Sequence, residues 1–159
     1  MATDVEYRDR PPIDAYYVSD APDVTEACRL FRRFTVGVGC RLTLTAPAGV
    51  TEVDVGVGEL EEIAVEVTSE EGDIEPQATF EFTESNGAVA VTGTPVAMGK
   101  GLKMKAWVPE RFCSVDVSAD GAAVKVKSVI EASLRVHSGG GAVSLGTVRA
   151  SDAEVHTGG

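Results

Sequence analysis

The stretch that decides the fold is residues 133–151, SLRVHSGGGAVSLGTVRAS, because its pattern returns nineteen residues later in residues 152–159, DAEVHTGG. His137 and His156 share this nineteen-residue interval. Self-similarity at a fixed period indicates stacked structural repeats. The other positions that keep the interval are the sets Val117, Val136 and Val155; Val126 and Leu145; Val129 and Val148; and Gly121, Gly140 and Gly159.

Each repeat contains two short strands, such as residues 134–136 and 143–145, joined by a glycine turn. A lone pair of strands cannot bury its valines, whereas units stacked about 4.8 Å apart form aliphatic ladders. Residues 109–159 are therefore predicted to form a parallel β-solenoid with nineteen-residue coils. An antiparallel meander also alternates in this way, but it gives no reason for identity at nineteen residues. The predicted inward ladders are Val117 with Val136 and Val155, and Val126 with Leu145, with Gly121 and Gly140 in the turns.

The rest of the chain is predicted to be an extended arm, one short helix and a strand-rich part. Residues 1–22 hold three prolines and few aliphatic side chains, which is typical of an arm that becomes ordered against a partner. Within residues 23–34, Asp23 and Glu26 have the spacing of a capping box, and the apolar residues that follow predict a helix over about 24–33. Residues 35–108 alternate apolar and polar positions, as half-buried strands do.

Composition excludes several classes of partner. The chain has 159 residues, a net charge of −11 and a pI near 4.6, so it would repel nucleic acid and anionic membrane surfaces. No segment approaches the roughly 20 apolar residues of a membrane span. Cys28, Cys40 and Cys113 form no paired motif, which favours a reducing compartment. We therefore expect a soluble intracellular, cytoplasmic protein.

Residues 103–159 contain the segments KAWVP at 105–109, SVDV at 114–117, VKV at 124–126, LRVHSGG at 134–140 and EVHTGG at 154–159. With these segments, they resemble the adhesin-type β-repeat domain family, which has bacterial members and eukaryotic relatives. The resemblance implies a right-handed parallel β-solenoid and carries no catalytic residue over to this chain. It also implies further coils, so the last coil, which stops at Gly159, is expected to be continued by more chain or covered by another subunit.

His137 and His156 are the weak metal-site candidates, because stacked repeats would place their imidazoles one strand spacing apart. A transition metal needs three or four ligands, however, and the equivalent position one repeat earlier is Ser118. A solvent-facing histidine ladder is the preferred interpretation, and no metal or cofactor is predicted. Cys113 has no local signature of a catalytic nucleophile. The glycine-rich residues 93–101 lack the spacing of a phosphate loop.

These observations favour a non-catalytic scaffold or protein-interaction subunit that binds protein partners through the arm and the open C-terminal coil. The alternative is a β-solenoid that binds, and even hydrolyses, a carbohydrate or another small ligand, with Asp152 and Glu154 as its candidate carboxylates. The outward residues Asp116, Arg135 and Glu154 recur at nineteen-residue intervals, and their alternating charge needs only a structural explanation.

Overall fold

A computed structural model describes residues 22–96 and 101–158, and over these residues the prediction of an all-β chain is confirmed. The arm predicted over residues 1–22 lies outside the described residues apart from Pro22. The strands are β1 Val24–Glu26, β2 Arg29–Thr35, β3 Cys40–Thr45, β4 Val50–Val57, β5 Glu62–Ser69, β6 Ala78–Ser85, β7 Ala88–Pro95, β8 Leu102–Val108, β9 Cys113–Ser118, β10 Ala123–Ile130, β11 Ser133–His137, β12 Val143–Arg149 and β13 Asp152–His156.

The strands form two sheets. The seven-stranded sheet has the order β1-β2-β5-β8-β4-β10-β12, and the six-stranded sheet has the order β13-β11-β9-β3-β7-β6. From β9 to β13 consecutive strands alternate between the sheets, so β12 and β13 lie at the same end of the molecule. We call this end, formed by β12 and β13, the C-terminal end.

The core lies between the two sheets because strands of both sheets turn alternate apolar residues inward. Leu42 and Leu44 of β3 and Val53 and Val55 of β4 are at most 1% exposed, and all four belong to one buried cluster. A smaller cluster of Phe31, Ala64 and Trp107 is separate from it. The period-two pattern in residues 35–108 thus corresponds to strands with one face in a shared core.

The prediction of a helix over residues 24–33 is wrong. Two antiparallel strands, β1 and β2, occupy this segment, and β2 pairs with β5 over its whole length. The carboxylate of Asp23, which was expected to cap a helix, accepts a hydrogen bond from the backbone N–H of Arg33 at 3.0 Å. All seven residues of β2 pair with β5, and the backbone hydrogen bonds of this pairing outweigh a weak local preference for helix.

The predicted right-handed β-solenoid is also wrong, because the structure has two open sheets of mixed direction. The pairs β1–β2, β2–β5, β5–β8 and β6–β7 are antiparallel. The nineteen-residue interval is found only in the register of β9 to β13, where Val136 lies opposite Val117 and Val155. A repeat determines the offset between neighbouring strands within the repeat. It does not determine how the other strands pair, and here the hairpins β1–β2 and β6–β7 extend the two sheets.

Candidate interaction surface

The C-terminal end exposes positions that are buried elsewhere in the same ladders. Leu145 in β12 lies opposite Val126, and Val155 in β13 lies opposite Val136. Val126 and Val136 are at most 1% exposed, whereas Leu145 is 40% and Val155 is 39% exposed. The apolar interior between the sheets therefore opens at this end, beside the edges of β12 and β13.

Two glycines allow β12 and the turn before it to lie flat against the preceding repeat. A Cβ atom on Gly141 would lie 1.9 Å from the carbonyl oxygen of Ala122, and one on Gly146 would lie 2.2 Å from that of Lys127. Both distances are far below any real contact, so only glycine permits this approach. Of the predicted turn glycines, Gly121 and Gly140 have positive φ angles of 95° and 111°.

The two edges of the C-terminal end carry opposite charge. β12, the edge strand of its sheet, contains Arg149 and no acidic residue, while Lys125 of the neighbouring strand β10 pairs with Glu52 at 3.5 Å. β13 contains Asp152 and Glu154 and no lysine or arginine. We call β12, with its single positive charge at Arg149, the basic edge, and β13, with its two carboxylates, the acidic edge.

The predicted histidine pair is brought together on this acidic edge. His137 and His156 are directly opposite in β11 and β13, with ring centroids 5.2 Å apart and planes 26° from parallel. Glu154 lies 3.7 Å from Nε2 of His156 and 3.2 Å from Nε of Arg135. Within residues 22–96 and 101–158, no three His, Cys, Asp or Glu side chains are grouped as a metal site would require.

The candidate carboxylates of the carbohydrate alternative are on one exposed strand. Asp152 lies opposite Ser133, and Glu154 lies opposite Arg135, which itself lies opposite Asp116. The side chain of Glu154 is 53% exposed and forms an ion pair with Arg135. This ladder of alternating charge stabilises the pairing of three parallel strands, which leaves Glu154 engaged in structure.

A groove of about 410 Å³ lies at the opposite end, between β1, β2, β6 and residues 73–75. Arg32 reaches into it, but its guanidinium donates hydrogen bonds to the carbonyls of Val24 and Phe31 and to Oγ1 of Thr25. The same group lies 5.3 Å from the ring centroid of Phe82. Arg32 therefore joins the two sheets here.

Cys113 lies beside a second cysteine, Cys40, with which no sequence motif associates it. Cys40 and Cys113 are opposite each other in β3 and β9, are 5% and 1% exposed, and are both free thiols. The proximity of the Cys113 thiol, which donates to the carbonyl of Ser114 at 3.8 Å, lowers the pKa of Cys40. The proximity of Cys40, together with burial, raises the pKa of Cys113. No motif marks this pair, because the two residues belong to strands that are far apart in the chain.

The acidic stretch at residues 70–73, between β5 and β6, forms a turn that is held by Gln77. The amide nitrogen of Gln77 donates to Oγ of Ser69 at 2.8 Å and to the carbonyl of Asp73 at 2.9 Å. Glu70 pairs with Lys103 at 3.1 Å. Of the glycine-rich residues 93–101, positions 97–100 lie outside the described residues.

Comparisons with known proteins establish no family for this chain. No protein-family model matches it, and no curated protein matches it. A crystal structure of a "putative cell adhesion protein" from Clostridium sporogenes matches with a TM-score of 0.34 and 7% identity, over 82% of this chain and 100% of that one. This likeness is loose and carries no functional argument, so membership of the adhesin-type family stays a prediction. None of the described residues forms a helix with the length and hydrophobicity to cross a bilayer.

Proposed function

We propose that this chain is a non-catalytic interaction module that associates with a second copy of itself through the C-terminal end. The observation that carries the proposal is the exposure of Leu145 and Val155, at 40% and 39%, beside two strand edges. Exposed edges with apolar ladders are sites at which proteins add further strands. Burying these ladders against another copy removes apolar surface from water, which stabilises the assembly.

The charges of the two edges favour a particular arrangement of the copies. If β12 of one copy lies against β13 of the other, Arg149 approaches Asp152 and Glu154 of its partner, and a two-fold axis repeats this contact. Like edges placed against each other would instead oppose the two acidic strands, which is destabilising. The expected dimer therefore pairs the basic edge of each copy with the acidic edge of the other, in an isologous interface.

Sedimentation velocity over a range of protein concentrations tests the proposal. We expect a dimer for the natural sequence and a monomer for Leu145→Asp and Val155→Asp, because each substitution places a charge in the apolar part of the interface. Val38→Asp is the matched control, since Val38 is 77% exposed in the connection between β2 and β3. It should leave the dimer intact.

A charge reversal tests the arrangement of the edges. Arg149→Glu should weaken the dimer about tenfold, and adding Asp152→Arg to it should restore the affinity. A natural chain that stays monomeric at high concentration would contradict the proposal. A dimer that tolerates both aspartate substitutions would place the interface elsewhere, and failure of the charge reversal to restore affinity would rule out the pairing of β12 with β13.

A further inference from the structure

The Cys40–Cys113 pair has the placement of a dithiol that can close to a disulfide. The two residues are in register on neighbouring parallel strands, and the backbone N–H of Cys40 donates to the carbonyl of Phe112 at 3.0 Å. Neighbouring strands lie about 4.8 Å apart, within the Cα separation of roughly 4.4–6.8 Å that a disulfide spans. Both side chains belong to the same core cluster.

Each cysteine is the first residue of its strand and directly follows an exposed segment. Cys40 follows residues 37–39, where Val38 is 77% exposed and both glycines have positive φ. Cys113 follows Phe112, which is 45% exposed and has a φ of 62°. The pair therefore lies at the rim of the core, where a small oxidant needs only a local opening of these segments to reach it.

We propose that Cys40 and Cys113 are an oxidation site that forms a disulfide between β3 and β9 when a small peroxide reaches it. The Cys40 thiolate attacks one oxygen of hydrogen peroxide, the O–O bond breaks, and Cys40 becomes a sulfenic acid while the departing hydroxide takes up a proton to become water. The Cys113 thiol then attacks the Cys40 sulfur, the S–O bond breaks and a second water leaves. Two thiols and one peroxide thus yield one disulfide and two waters.

The order of the two steps follows from the environments of the two sulfurs. Cys40 is 5% and Cys113 1% exposed, and the neighbouring Cys113 thiol lowers the pKa of Cys40, so Cys40 is the first to ionise. Cys113 keeps its proton, because the proximity and charge of Cys40 and its own burial all raise its pKa. The thiolate is the nucleophile in this chemistry, which assigns the first attack to Cys40.

Peptide mapping of the Cys28→Ser variant tests the proposal, since this substitution removes the exposed third thiol. The protein is treated with hydrogen peroxide, alkylated in denaturant and digested with trypsin without reduction. We expect residues 34–41, FTVGVGCR, linked to residues 112–125, FCSVDVSADGAAVK. The oxidised protein should melt about 5 °C or more higher than the reduced one, and dithiothreitol should reverse the shift.

Cys40→Ser and Cys113→Ser, each made in the same background, are the controls and should give neither the linked peptide nor the shift. If either control fails to fold, the linked peptide from the Cys28→Ser protein still decides the matter. If Cys40 and Cys113 are both still alkylated after peroxide treatment, the proposal is wrong. Conversion of Cys40 to a sulfinic acid without a link to Cys113 would overturn it as well.

Discussion

At the scale of the residue, the ladder of Val117, Val136 and Val155 contains both fully buried valines and the most solvent-exposed valine of the repeat. Val136 is fully buried between Val117 and Val155, whereas Val155 is 39% exposed. The two side chains are chemically identical and directly opposite each other. Their difference in burial therefore isolates the effect of position within the sheet.

Replacing Val136 with Asp should destabilise the protein by at least about 3 kcal/mol, because it buries an unpaired carboxylate. Val155→Asp is the matched control, and it should cost much less in the monomer because water reaches that position. Urea unfolding of both variants measures the difference. Equal losses of stability would contradict the assignment of Val136 to the core.

At the scale of the element, the side chain of Arg32 ties the β1–β2 hairpin together in addition to the backbone pairing. Arg32 donates to the carbonyl of Val24 at 2.8 Å and to Oγ1 of Thr25 at 2.9 Å, which ties the short strand β1 to β2. β1 has only three residues and pairs with no other strand. It is therefore held by its three pairs with β2, by this guanidinium and by the bond that Asp23 accepts from the backbone N–H of Arg33.

Arg32→Met should loosen β1 without unfolding the sheets. Hydrogen bonds from a charged donor contribute more than neutral ones, so we expect amide exchange in residues 24–26 to rise roughly tenfold or more. Arg33→Met is the control, because it removes a neighbouring charge from the same strand. Hydrogen exchange read by mass spectrometry gives the comparison, and similar exchange in the two variants would show that Arg32 does not hold the hairpin.

At the scale of the whole molecule, the two sheets share one core that thins toward the C-terminal end. β9 and β11 have buried alternate residues, while every residue of β13 is exposed. β12 has only Val143 and Val148 at intermediate exposure, and the rest of the strand is exposed. Protection from solvent should therefore fall from the middle of each sheet to this edge.

Amide exchange at a protein concentration that keeps the chain monomeric should follow this gradient. We expect amides of β12 and β13 to exchange at least about tenfold faster than those of β9 and β10, because edge strands open with little loss of buried surface. Slowing of the edge amides at high concentration would add support for association through this end. Uniform protection of all four strands in the monomer would contradict the exposed edge.

Much of the local pattern could be predicted from the sequence. Alternation at period two identified strands in residues 35–108, and the nineteen-residue interval is the register of Val117, Val136 and Val155 in the structure. Both signals follow from local geometry, since a strand alternates its side chains and stacked repeats keep identical residues opposite each other.

Only the tertiary structure decided the rest, because it depends on partners that are distant in the chain. Residues 24–33 have a helical pattern, yet they form strands because β5 offers β2 a full row of backbone partners. The repeat does not reveal that hairpins extend both sheets into a mixed architecture. Cys40 and Cys113 meet only because β3 and β9 are neighbours in the folded sheet. Local preferences amount to tenths of a kcal/mol per residue, and long-range pairing outweighs them.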